Sequence, residues 1–183
     1  MDRELHLPIT KEDLKELNAG DFVYLTGTIY SARDAAHKRM HEAIEKGEDL
    51  PYSIDGTAVY YLGPSPNREG RSIGSAGPTT SSRMDRYTPE LLERGLAIMI
   101  GKGKRSAQVK ESMQKTGAVY LAAIGGAGAL LSKAIKKSTV IAYDDLGTEA
   151  IRRLEVEKLP TIVVIDTKGN DLYETATSLY KKN

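Results

Sequence analysis

The chain has 183 residues, with 26 Lys and Arg against 25 Asp and Glu, a formal net charge of +1, no Cys, no Trp, one Phe and ten Tyr. That length suits one compact domain, or at most two small ones, and a 40% apolar content supports a real core rather than a disordered chain. The near-zero charge excludes a bulk electrostatic case for nucleic acid, leaving only a local basic cluster. The absence of Cys excludes disulfides, thiolate zinc sites, a nucleophilic Cys and any iron–sulfur cluster held by the chain's own thiolates.

The charged opening Met1–Lys11 has no apolar segment and predicts no secretory signal. Residues 10–20 predict a short amphipathic helix capped by Thr10, with Leu14 and Leu17 on one face. Phe22–Tyr30 is β-rich, and Gly27 within it marks a bulge or a close backbone approach. A helix is expected from Ser31, with Ser31 and Asp34 as a shortened capping box, Ala32, Ala36, Met40, Ala43 and Ile44 as its stripe, and Gly47 as its stop. A short strand at Ala58–Leu62 precedes about thirty residues rich in Gly, Pro, Ser and Thr. An interdomain linker is the plain reading of that stretch, but long ordered loops are usually functional, and its four arginines exceed what a spacer needs.

From Thr88 the pattern is regular. TPELLERG predicts a helix with a Thr cap, and Leu96–Ile100 reads as a strand covered on both faces. Helix 105–116, strand 118–124, helix 127–137, strand 138–143, helix 146–152 and strand 161–166 follow, and the tail from Glu174 reads as frayed. This alternation predicts an α/β domain with crossovers. The longest uncharged stretch, Gly117–Ser132, carries four glycines and is too short to span a membrane, so a soluble cytoplasmic protein is expected.

Glycine-rich turns invite a nucleotide reading that their spacing does not sustain. Gly95 and Gly101-Lys102 are separated by five residues instead of four, and Gly103 stands where a magnesium-binding hydroxyl belongs. Gly126 and Gly128 follow a strand, but Leu131 replaces the third glycine of a dinucleotide fingerprint. His37 and His41 sit one helical turn apart without a third ligand, so a solvated or hydrogen-bonded pair is favoured over a metal site. No G-x-S-x-G elbow supports a Ser nucleophile, and Asp144-Asp145 reads as a cap for the helix that follows.

The sharper pattern is a set of cations beside small turns. Arg33 occupies the first turn of a helix, where a positive charge is disfavoured and needs a reason. Arg83 follows a run of hydroxyls from Thr79 to Ser82, and Lys102 leaves a buried strand between two glycines. Singly, each reads as a surface charge. Together, at the carboxyl edge of an α/β sheet, they describe a receptor for a small polyanion.

These segments, TGTIYSARDAAHKRM, GSAGPTTSSRMD, IGKG and EAIRRLEVEKLPTIVVID, resemble the β subunit, or C-terminal half, of class I fumarate hydratases and L-tartrate dehydratases over about residues 21–173. The resemblance implies a single swivelling β/β/α layered domain, with a mixed sheet and flanking helices. It also implies a site at the junction with an α subunit whose three cysteines hold a [4Fe-4S] cluster, with no metal bound by this chain. An assembly such as α2β2 would follow. Residue by residue, Arg33 and Arg83 match carboxylate-binding arginines, Lys102 a substrate-binding lysine, and Thr79 the proposed base at C3 of the substrate. Thr80 is a neighbour of the substrate, and Thr148 departs from the family's usual Met. The implied activity is reversible hydration of fumarate to (S)-malate, with L-tartrate dehydration or a non-catalytic dicarboxylate-binding module as the alternatives.

Overall fold

Apolar alternation along the strands is realised as a closed ring with helices packed on its outside. The computed structural model describes residues 2–62, 76–124 and 131–180. Its elements are β1 (Asp2–Leu7), α1 (Lys11–Leu14), β2 (Phe22–Ser31), α2 (Asp34–Glu45), β3 (Ala58–Tyr60), a 3-10 helix (Ser81–Tyr87), α3 (Thr88–Glu93), β4 (Ile98–Gly101), α4 (Ala107–Thr116), β5 (Val119–Ala123), β6 (Ile135–Ala142), a second 3-10 helix (Asp144–Glu149), β7 (Ile151–Ile165) and α5 (Leu172–Tyr180). Strands β2, β3, β4 and β5 run parallel in that order. The long β7 pairs antiparallel with both β5 and β2 and so closes the five strands on themselves. β1 extends the sheet beside β2, and β6 extends it beside β7.

Period-two alternation sorts the side chains between two cores. Ala58, Tyr60 and Leu62, Ile98 and Ile100, Val119 and Leu121 share one cluster with Val23, Leu25 and Ile29 of β2 and with Leu154, Leu159 and Val163 of β7. Their neighbours Val59, Tyr61, Met99 and Tyr120 join the other cluster with Ala36 and Met40 of α2, Met84 of the first 3-10 helix, Leu91 and Leu92 of α3, and Val109 and Met113 of α4. The doubly covered strand expected at Leu96–Ile100 is therefore present. At Gly27 the β2–β7 register shifts and φ is +122°, and an added Cβ would lie 2.5 Å from the Leu7 carbonyl oxygen. Both features expected of that glycine are found.

The α/β class, the mixed sheet and the flanking helices are as expected, but several local expectations fail. None of the hydroxyls expected to cap helices accepts a main-chain N–H at a helix start. Thr10 is the N-cap of α1, as expected, but its hydroxyl donates to the Asp13 carboxylate. Ser31 ends β2, and α2 starts at Asp34 with Arg33 as its N-cap. Thr88 donates back to the Met84 carbonyl. The expected helix over 127–137 is contradicted at its end, because β6 begins at Ile135, while residues 125–130, Gly126 and Gly128 among them, lie outside the described residues. The expected helix over 146–152 is instead a 3-10 turn followed directly by β7, which has fifteen residues instead of the six expected over 161–166. The tail read as frayed forms α5, and β1 was not foreseen. No helix among the described residues is long and apolar enough to cross a membrane.

Candidate functional site

Main-chain hydrogen bonds tie four segments together where the parallel strands end. The Ala32 N–H donates to the Tyr60 carbonyl (3.2 Å) and the Thr79 N–H to the Tyr61 carbonyl (2.8 Å). Arg33 and Thr79 therefore follow backbone groups that hang from adjacent residues of one strand end. The Tyr61 N–H donates to Ile100 and the Ser81 N–H to Lys102, both at 2.9 Å. Thr80 forms a parallel bridge with Lys102. Thr79, Thr80 and Lys102 thus lie side by side at the carboxyl edge. Arg33 stands at the end of neighbouring β2, and Arg83 lies in the first turn of the 3-10 helix that follows Thr80.

Gly101 makes this approach possible. A Cβ there would sit 2.0 Å from Ser81 Oγ and 2.8 Å from Tyr61 Cδ2. The buried Ser81 hydroxyl hydrogen-bonds the Tyr120 hydroxyl at 2.8 Å, and the latter donates to the Gly103 carbonyl at 2.8 Å. The IGKG turn and the hydroxyl-rich segment are in this way pinned through one tyrosine.

The cations differ in setting. Lys102 and Arg83 are exposed. The Arg33 side chain is 25% exposed, and its Nε lies 4.0 Å from carboxylate oxygens of both Asp34 and Glu149. That separation gives Coulombic attraction without a hydrogen bond. Directly below Arg33, buried His37 makes a 2.8 Å bond from Nδ1 to the Arg33 carbonyl, so Nδ1 carries the proton. Burial is the main reason its pKa falls to about 4, with the positive charge of Arg105 adding to the fall, and the ring is neutral. His41 instead pairs with Glu90 (2.7 Å) and Glu45 (3.0 Å), and its pKa rises mainly through the Glu90 hydrogen bond. His37 and His41 are hydrogen-bonded, as expected of them. No group of His, Asp or Glu suited to a metal occurs among the described residues.

Sequence reasoning missed what supports this edge. Arg105, with a fully buried side chain, donates to Asp85, Thr88 and the Tyr61 hydroxyl. Glu149 beside Arg33 was missed as well. The available signal was an arginine following IGKGK, an acid inside SSRMD, and the acid of LGTEA.

The fold and its edge define a class of protein: an α/β domain with a closed mixed sheet that gathers cations and hydroxyls where its parallel strands end. The particular family follows from comparison: residues 2–176 match the model of the Fumarase C-terminus, and the chain belongs to that family. It is 42% identical over 174 residues to "Fumarate hydratase 2" of Leishmania major, covering 93% of this chain and 31% of the relative. It is 39% identical over 179 residues to "Fumarate hydratase class I, aerobic" of Salmonella typhimurium, covering 96% and 31%. It is 33% identical to the "L(+)-tartrate dehydratase subunit beta" of Escherichia coli K12, covering 98% and 90%. The chain thus spans about a third of the fumarate hydratases it matches and nearly all of that β subunit.

Proposed function

We propose that this chain is the β-subunit-type part of a hydro-lyase that interconverts a 2-hydroxy dicarboxylate and its alkene, with fumarate and (S)-malate as the pair. The single observation that carries the proposal is the bridge between Thr80 and Lys102, which puts a hydroxyl segment and a cation side by side at the edge where Arg33 also emerges. Arg33 and Arg83 take the two substrate carboxylates through their planar forks, Lys102 adds a third positive charge, and Thr80 lines the pocket.

Thr79 handles the C3 proton. In dehydration its oxygen accepts that proton, the C3–H pair becomes the double bond, and the C2–O bond breaks with its pair leaving on hydroxide; in hydration hydroxide adds at C2 and the Thr79 hydroxyl returns the proton to C3. A free Thr hydroxyl is far too weak an acid to supply that oxygen as an anion. A carboxylate of the partner therefore takes its proton, and the surrounding cations stabilise both the alkoxide and the charge that builds on the substrate carboxylate.

The [4Fe-4S] cluster belongs in this proposal to a partner α subunit, in a cytoplasmic hetero-oligomer such as α2β2. This chain does not fit that group: it has no Cys, and its described residues hold no metal-binding cluster. A second reading, L-tartrate as substrate, is favoured by the near full-length match to a tartrate dehydratase β subunit. The test is anaerobic co-production with an α-type partner, followed by assays of fumarate hydration and L-tartrate dehydration. The proposal expects activity only in the mixture, with fumarate preferred. A pair inert toward both diacids, beside a lone chain that binds them, would leave a non-catalytic binding module.

A further inference from the structure

A buried arginine lies behind the candidate site and touches the helix that carries one of its cations. Arg105 Nε donates to Asp85 Oδ1 at 2.7 Å, Nη2 donates to Thr88 Oγ1 at 3.0 Å and to the Tyr61 hydroxyl at 3.2 Å, and Nη1 meets Met99 Sδ at 3.4 Å. The guanidinium also lies over the rings of Tyr61 and Tyr120, 5.2 and 5.0 Å from their centroids. Asp85 is held a second time, because its Oδ2 accepts the Ser106 N–H at 2.8 Å. Asp85 belongs to the 3-10 helix that carries Arg83, two residues away, and Arg105 follows Lys102 by three.

A short 3-10 helix is weakly held by its own hydrogen bonds. Here the turn bearing Arg83 is fixed from behind by one planar fork that no lysine can imitate, since a lysine carries a single nitrogen. We propose that Arg105 is a positioning residue that sets Arg83 for the substrate carboxylate, an inference that rests on the binding role given to Arg83 above. Thr79 is placed independently, by main-chain bonds to Tyr61 and by the adjoining Ser81–Lys102 pair. Loss of the Arg105 fork should therefore weaken substrate binding and spare turnover.

The test is Arg105→Lys in the reconstituted complex, alone and combined with Arg83→Ala. The expected result is a KM raised about tenfold with kcat nearly unchanged, and almost no further rise in KM when Arg83 is already Ala. Equal fold-changes in KM with and without Arg83 would overturn the inference, because a merely structural defect adds independently. Amide hydrogen exchange on the full chain gives a readout free of activity. Arg105→Lys should raise exchange through residues 81–87 about tenfold and leave β4 and β5 unchanged. Unaltered exchange over 81–87, or acceleration spread evenly over the chain, would equally overturn it. Where Arg105→Lys does not fold, Asp85→Ala removes the acceptor of the same link and carries both readouts. A parent complex inert toward both diacids would refute the catalytic reading, while the exchange pattern still decides whether Arg105 fixes the turn.

Discussion

Gly101→Ala is a one-carbon change that tests how the edge is assembled. Its φ is not in the left-handed region, so conformational freedom is not what requires glycine here. Space is: the added Cβ would lie 2.0 Å from Ser81 Oγ, 3.3 Å from Ser81 Cβ and 2.8 Å from Tyr61 Cδ2. The Ser81 hydroxyl must swing away by more than about an ångström to reach ordinary contact, which breaks its 2.8 Å bond with Tyr120. Overpacking of this kind costs about 1–3 kcal/mol, and the lost hydrogen bond adds about 0.5–1.5 kcal/mol. The sum, about 1.5–4.5 kcal/mol, corresponds to a fall of about 3–18 °C in Tm for a chain of this size. Urea and thermal unfolding measure it. Ser81→Ala removes the nearest clashing atom, so the double variant should be more stable than the summed single effects by about 1 kcal/mol. A Gly101→Ala protein within about 0.5 kcal/mol of the parent, or strict additivity in the cycle, would refute the steric reasoning.

Other expectations follow from the same geometry. Thr79→Ala in the reconstituted complex should lower kcat by about 10²–10⁴-fold and change KM little; parental turnover in steady-state assays would remove Thr79 from proton transfer. Arg83→Ala should raise KM well above its effect on kcat, and a pure kcat defect would contradict a binding role. His37 is neutral when folded, with a pKa near 4, against 6.5 when unfolded. The unfolded chain thus binds the extra proton, and stability present above pH 6.5 is lost as pH falls toward 4, by about 3 kcal/mol in all. His37→Phe should flatten that acid limb in unfolding titrations, and an unchanged limb would disprove the assignment. His41 has the opposite sign: its raised pKa gives stability below 6.5 that fades as pH rises through the folded value.

What could be read from the sequence was what is encoded locally. Strands β3, β4 and β5 are short apolar runs between turn residues, and α4 carries its own Ser106 cap and a left-handed Gly117. Arg33 and Lys102 follow such strands, which is why strand–helix order pointed to the carboxyl edge, whereas Thr79 was singled out through the family resemblance. β7 was legible only at its end. IRRLEVEK offers charges at helical spacing and Pro160 suggests a break, yet pairing with β2 along one side and with β6 and β5 along the other makes the whole segment extended. β1 was hidden for the related reason that only Leu7 of its six residues is buried. Arg105 escaped notice because a buried arginine looks in sequence like any solvated cation near a helix start. The oxygens it donates to, on Thr88, Asp85 and Tyr61, lie seventeen, twenty and forty-four positions away, and only the closed fold brings them together.

This division between local placement and non-local support explains how the edge keeps its cations available. An arginine fully paired within the chain would have little left for an anion, and one wholly unrestrained would lose side-chain entropy on binding. Arg33 avoids both extremes. The carboxylates of Asp34 and Glu149 attract its Nε from 4.0 Å, each by about 1–4 kcal/mol before screening, but neither engages the guanidinium in a hydrogen bond. Its backbone is fixed from below by His37, whose neutral ring adds no competing positive charge. Arg83 is treated the same way through a different device: the exposed side chain belongs to a turn anchored by a buried neighbour, so the anchor consumes Arg105 and leaves Arg83 exposed. In the proposed reaction a dianionic substrate held by these cations would offset their mutual repulsion, and a monocarboxylate would offset less of it.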